Sequence, residues 1–332
     1  MSKLSKLLVS GVAALAMLGA TAASAETVRV GLVAKVLGNG FFEAANRGAL
    51  EAAHELGDLE VIYTGPTDTT AVGQINVINS LIAQRVDAIA ISANDTDALV
   101  PALKRAMKRG IKVVSWDSGV AAEGRHVHLN PSSNELIGRM NVKLAADHVK
   151  DGKGKIAILS ATTTSTNQNI WIEEMNKALP DYPGLELLTV VYGDDLAEKS
   201  YREAQGLIRS YKDLDVIVSP SSVGIVAASQ AVSDEGKVGE VFVTGLGLPS
   251  EMAGHVKSGA SKSFAIWNPI DLGYSATYIA YELVKGKAKG EPGETISIGR
   301  VGSVTLDDQR SAGMAEPFVY DASNVEEFAE IF

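Results

Sequence analysis

The chain has 332 residues, no cysteine and a formal charge of −10, with 46% hydrophobic and 21% charged residues. Such a length outgrows a single core, so two domains are expected, and the lack of Cys excludes disulfides, thiolate metal sites and a lipid-attached lipoprotein. The acidic balance, with no basic cluster to offset it, argues against nucleic acid as a partner.

Lys3 and Lys6 precede an apolar run from Leu7 to Leu18 and small residues ending in Ala23-Ser24-Ala25. That is the layout of a secretory signal peptide cut after Ala25, and the apolar run is shorter than the roughly 20 residues a spanning helix needs. Its removal takes two Lys and no acidic residue, leaving −12. A free protein in an oxidising compartment, most simply a bacterial periplasm, is expected.

From Thr27 the pattern alternates. Thr27 to Ala34 predicts a buried strand, Lys35 to Phe42 a loop, and Glu43 to Leu56 a helix with apolar Ala45, Ala49, Ala52 and Ala53. Leu59 to Tyr63, Ala88 to Ser92 and Val113 to Trp116 read as further strands, separated by helices over Ala71 to Arg85 and Asp97 to Arg109. Strands alternating with helices imply a parallel sheet covered on both faces. Val127 to Leu129 is a short strand before Asn130-Pro131, the first expected crossing between lobes, and Ser132 or Ser133 can cap a helix to Val149.

The same rhythm then repeats, with strands at Ile156 to Ser160, Leu187 to Tyr192, Val216 to Ser219, Val241 to Gly245 and Ser263 to Trp267. Helices fall between them, and another runs from Pro269 to about Lys285. The expected fold is α/β, two doubly wound parallel-sheet lobes joined by a multi-strand hinge. Residues 26–130 plus 268–292 would form the N-terminal lobe and residues 131–267 plus 293–332 the C-terminal lobe, with a ligand cleft between them.

Ligands of open α/β sheets bind at the carboxyl ends of the strands. Trp267, Asn268 and Asp271 stand at such a junction, where a flat ring beside hydrogen-bonding groups suits a polyhydroxylated ligand. Lys35, Phe41 and Phe42 follow the first strand; a solvated Lys and an aromatic stapling the helix to the core are the plain alternatives. Asp117 ends the fourth strand, where it can accept sugar hydroxyls or simply form a turn before Gly119. The polar run Thr162 to Asn169, just before Trp171, occupies the equivalent loop of the second lobe. His126 and His128 alternate on a strand without a third ligand nearby, so no metal site is expected. Gly38-Asn39-Gly40 and Gly245-Leu246-Gly247 lack the rest of a G-x-G-x-x-G pattern, so no cofactor is expected either.

The doubled α/β layout, the leader and the segments Val243 to Lys257 (VTGLGLPSEMAGHVK) and Phe264 to Gly273 (FAIWNPIDLG) resemble the periplasmic sugar-binding proteins of ABC importers. The likeness is greatest to the rhamnose-binding proteins and the related autoinducer-2-binding proteins. It implies the type I periplasmic binding protein fold, a non-enzymatic monomer, closure of the lobes on one sugar and delivery to an ABC-type membrane permease.

It also implies ligand contacts at Lys35, Phe41, Asp117, Asn167, Gln168, Pro220, Ser222 and Trp267, and the reading of the residues themselves adds Phe42, Asn169, Trp171, Asn268 and Asp271. Asn167 and Ser222 stand where the autoinducer-2 relatives carry Asp and Ala, so rhamnose is implied first, then another deoxysugar or pentose-like ligand. Three competing readings keep the fold and change the role. They are a secreted glycosidase using Asp117 and Asp271, the sensing domain of a transcription regulator, which would need a helix-turn-helix where the leader stands, and a chemoreceptor ligand carrier.

Overall fold

The computed structural model describes residues 27–332, so the expected leader, residues 1–25, lies outside the described residues. Strands β1 (Val28–Val33), β2 (Leu59–Thr64), β3 (Ala88–Ile91), β4 (Lys112–Trp116) and β5 (Val127–Asn130) form a parallel sheet in the order β5-β4-β3-β1-β2. Their side chains alternate between two cores, as the pleat requires. Val30, Leu32, Ala88, Ala90, Val114 and Trp116 face one, while Val33, Ile89, Ile91 and Val113 face the other. Helices α2 (Ala71–Gln84) and α3 (Val100–Lys108) cover the second face through Ile78, Leu81, Leu103 and Ala106.

Helix α1 (Gly40–Leu56) covers the first face beside α9 (Pro269–Val284), which returns to this sheet late in the chain. These two helices touch backbone to backbone. A Cβ on Gly48 would stand 1.8 Å from the Ile270 carbonyl oxygen, and one on Gly273 1.9 Å from that of Ala45. Only glycine allows this approach, which draws the start of α9 against α1.

The second sheet has the order β7-β6-β8-β9, built from β6 (Gly154–Ser160), β7 (Leu185–Tyr192), β8 (Val216–Ser219) and β9 (Phe242–Gly245), all parallel. Its helices are α4 (Asn134–His148), α5 (Thr166–Ala178), α6 (Ala197–Ser210), α7 (Ser222–Asp234) and α8 (Pro249–Ser258). A parallel bridge from Leu246 to Ala265 brings up β10 (Ser263–Ile266), and β10 pairs antiparallel with β14 (Phe318–Asp321) before the short helix α10 (Val325–Ala329). The chain has the α/β fold of two doubly wound sheets that the sequence implies. Among the described residues no helix is long and apolar enough to cross a membrane.

Several element boundaries move for local reasons. α1 begins at Gly40 because Asn39 caps it, its Oδ1 accepting from the Phe41 amide at 2.9 Å. α3 begins at Val100 rather than Asp97: Asp95 Oδ1 gathers the amides of Asp97 and Ala98 into a turn, and Pro101 occupies the first helical turn.

The tail departs further from expectation. Residues 293–332 do not all lie with the second sheet: β11 (Thr295–Ser297) and β12 (Ser303–Thr305) form a hairpin, and β13 (Ser311–Gly313) joins the first sheet parallel to β5. The buried Arg125 guanidinium holds that strand by donating to the carbonyls of Gln309 and Arg310 and to Ser311 Oγ at 3.0–3.1 Å. The chain therefore passes between the sheets at residues 130–134, 266–269 and 313–318. The first and third passages run together, with the Met314 amide donating to the Asn130 carbonyl and the Ala315 amide to that of Pro131, both at 3.0 Å.

Candidate functional site

The carboxyl ends of both sheets face each other across a narrow cleft whose enclosed cavity is only about 40 Å³. Around it the two halves touch directly. Thr96 and Thr166 hydroxyls meet at 2.8 Å, and Thr164 Oγ1 donates to the Asn94 carbonyl at 2.9 Å.

The polar floor is a relay of three side chains. Lys35, two residues past β1, is 3% exposed and donates from Nζ to Asn167 Oδ1 at 2.9 Å and to Ser165 Oγ at 2.8 Å. Asn167, in the first turn of α5, donates from Nδ2 to Asp117 Oδ1 at 3.1 Å. Asp117, just past β4, also accepts from Ser92 Oγ at 2.7 Å and holds a left-handed backbone at φ 56°. An ammonium only donates and a carboxylate only accepts, so the amide between them has one orientation that satisfies both. Burial draws the Lys35 ammonium below its usual pKa, and the charges of Asp117 and Asp195 oppose that fall. Burial likewise pushes the Asp117 carboxyl up, opposed by Lys35 and by the Ser92 hydrogen bond. Gln168 is fixed by its own oxygen, which accepts from Ser160 Oγ and the Ala161 amide at 2.9 and 2.8 Å, so its amide nitrogen is left to face the cleft it lines.

The apolar wall is a chain of edge-to-face rings. Trp171 meets Trp267 at 5.7 Å between centroids, Trp267 meets Phe41 at 6.2 Å, Phe41 meets Phe42 at 5.2 Å, and Phe42 meets Trp116 at 5.8 Å. Trp171 Nε1 is held by Asn134 Oδ1 at 2.9 Å, whereas Trp267 Nε1 is buried with no partner among the described residues. Pro220 and Ser222 close the second-sheet side where β8 runs into α7.

Ten of the thirteen expected residues therefore line one cleft: Lys35, Phe41, Phe42, Asp117, Asn167, Gln168, Trp171, Pro220, Ser222 and Trp267. Asn169, Asn268 and Asp271 do not. Asn169 turns away to the Thr163 carbonyl at 2.9 Å. Asn268 caps α9, with Oδ1 accepting from the Ile270 amide and Nδ2 donating to Asp271, and Asp271 is bound by Arg300 at 3.0 Å. Asp117 and Asp271 thus do not share the cleft as a carboxylate pair. His126 and His128 serve the first sheet, His126 Nδ1 accepting from the Val113 amide at 3.0 Å and the His128 ring meeting Ser115 Oγ at 2.9 Å.

Asn39, Asp195, Ser221, Leu246 and Ile266 also line the cleft, and none of them is among the expected ligand contacts. Asp195 carried the clearest signal, since it follows β7 as Asp117 follows β4.

Residues 30–288 match the family described as periplasmic binding protein domain. Among solved structures, the chain is similar to an ABC transporter solute binding protein from Clostridium phytofermentas with bound L-rhamnose. The identity is 34% and the TM-score 0.89, covering 92% of this chain and 99% of that one. It is also similar to LsrB from Clostridium saccharobutylicum in complex with AI-2, at 26% identity and a TM-score of 0.86 over 91% of this chain and 99% of that one. A D-ribose/D-allose-binding protein of Pseudomonas aeruginosa is 28% identical over 227 residues, 66% of this chain and 70% of that protein.

Proposed function

The chain belongs to the periplasmic binding protein family, as a sugar-binding component of an ABC transporter, and on that premise we propose that its sugar is L-rhamnose. The lobes close on the sugar by bending at the three passages, and the closed form is presented to the membrane permease. A monomer free in the periplasm, released from its leader, is the form proposed to do so. Lys35, Asp117, Asn167 and Gln168 take the hydroxyls while Trp267 and Phe41 take the apolar C–H face.

The observation that carries the choice of sugar is Asn167. In the autoinducer-2 pattern a carboxylate stands there, and a carboxylate could not donate to Asp117 as Asn167 does at 3.1 Å. The L-rhamnose-bound relative, with its higher identity over nearly the whole chain, supports the same choice.

Thermal-shift titration of the mature protein tests it. At about a hundred times its dissociation constant, L-rhamnose adds about 2.7 kcal/mol of stability, more than ribose, glucose or autoinducer-2 at equal concentration. Equal shifts for all four remove the assignment. The same sugar should reduce the radius of gyration by scattering, and an unchanged profile at saturation refutes closure.

A further inference from the structure

Asp195 belongs to no element of the floor relay, yet it lines the same cavity, from the loop after β7. It sits in the loop between β7 and α6, where Asp194 and Asp195 both hold left-handed backbones at φ 58° and 54°. Such a conformation is uncommon for non-glycine residues, and Asp and Asn tolerate it best. The two neighbours point their charges differently. Asp194 is engaged outside the cavity by Lys199 Nζ at 2.6 Å. Asp195 accepts from Ser221 Oγ through Oδ1 at 2.5 Å, and its Oδ2 has no hydrogen-bond partner among the described residues.

Ser221 is in turn fixed, because its Oγ accepts from the Gly224 amide at 3.0 Å as the cap of α7. One carboxylate oxygen is therefore anchored to a helix start, and the other, on a residue that lines the cavity, is unengaged among the described residues. The charge of Asp195 is also felt at Lys35 and at Asp117, which places it within electrostatic reach of the floor.

We infer that Asp195 is a specificity-determining residue whose Oδ2 accepts a sugar hydroxyl other than the one taken by Asp117, so that the ligand must carry a hydroxyl for each carboxylate. The second carboxylate, absent from position 167, is supplied by the loop between β7 and α6. This rests on the sugar-binding reading but not on which sugar is bound. A sugar lacking the hydroxyl opposite Asp195 would leave that oxygen dry and unpaired in the closed cleft, so the residue selects by penalty as well as by contact.

Asp195→Asn is the informative variant. It keeps the left-handed backbone and an oxygen for Ser221, and it replaces only the acceptor that faces the cavity. Calorimetric titrations would use the tightest-binding sugar of a rhamnose, ribose and glucose panel, together with its monodeoxy analogues, on the parent, Asp195→Asn and Asp194→Asn. The expected result is a loss of tenfold or more for the complete sugar with Asp195→Asn. For one monodeoxy analogue the same substitution should change affinity less than twofold, because that analogue lacks the hydroxyl concerned. Asp194→Asn should bind every sugar as the parent does.

Losses of equal size for every analogue, or equal behaviour of the two variants, would assign Asp195 to the turn alone and overturn the inference. An unchanged affinity in Asp195→Asn overturns it as well. A parent that prefers ribose or glucose overturns the rhamnose assignment and leaves Asp195 to be judged on that sugar's own analogues. A parent that binds no sugar overturns both.

Discussion

Asn167→Asp turns the floor relay into a test of its own logic. The substitution replaces the donor that stands 3.1 Å from Asp117 Oδ1 by an oxygen, while the oxygen facing Lys35 at 2.9 Å becomes charged. At an effective dielectric constant of about 20, two unit charges at these separations interact by about 5 and about 6 kcal/mol, one repulsive and one attractive. The two nearly cancel, so the variant should fold. What does not cancel is the lost donor, and Asp117 is freed from the orientation that aims it at the ligand. A hydrogen bond to a charged group contributes about 1.5–3 kcal/mol, so L-rhamnose affinity at pH 8 should fall by about 10- to 150-fold. Two carboxyls in contact hold one proton more firmly than either would alone, which raises their apparent pKa. The shared proton restores a donor between them below that pKa and is lost as pH rises through it. Affinity of the variant should therefore recover as pH falls from 8 to 5, whereas the parent gains nothing from this route. Calorimetric titrations at pH 5, 6.5 and 8 measure it. Parent-like affinity at pH 8, or a loss that is the same at all three, would refute the reasoning.

Trp267 is only 3% exposed and packs edge-on against Phe41 and Trp171, so Trp267→Ala should cost about 3–5 kcal/mol of stability and lower sugar affinity at least tenfold. A melt and a titration on the same sample check both, and full affinity in a destabilised variant would make the ring a core residue alone. His148 contributes to acid stability: its Nδ1 donates to the Leu144 carbonyl at 2.7 Å and its Nε2 accepts from the Lys262 and Ser263 amides, and burial pulls its pKa down to about 4. The unfolded chain takes up this proton first, so the contribution is whole above about pH 6.5 and disappears as pH falls to about 4, with about 2 kcal/mol lost between pH 7 and 5. Urea midpoints of the parent and His148→Gln at the two pH values should show a shallower decline in the variant, and parallel declines would count against the assignment.

Much of this was legible in the sequence because strand and helix periods differ and alternate along the whole chain. The residues past β1, β4 and β6 could be found by topology, since parallel strands put their carboxyl ends on one edge. Asn268 and Asp271 read as cleft residues in sequence because the residues that cap a helix are the same types that hold hydroxyls. Nothing in Asn268-Pro269-Ile270-Asp271 says that Arg300, 29 residues on, takes up the carboxylate. Asp195 was passed over because Gly193-Asp194-Asp195 reads as a plain turn, and which of two adjacent acids faces the cavity depends on two backbone angles. The three-residue strand Ser311–Gly313 is too short to show a period, so its return to the first sheet is visible only through Arg125 and the β5 ladder.

That return has a consequence for how the protein is made. The first sheet draws its sixth strand from residues 311–313, and β10 pairs with residues 318–321, so both halves wait for this stretch to be made before their edges can close. Pairings so distant in sequence are slow to form, because a long loop must close before they are rewarded. A nascent chain of this design stays short of its final state until residues 311–321 have emerged. It cannot mature one half at a time, and a cut that removes only the tail from residue 311 onward should leave both halves with an open edge.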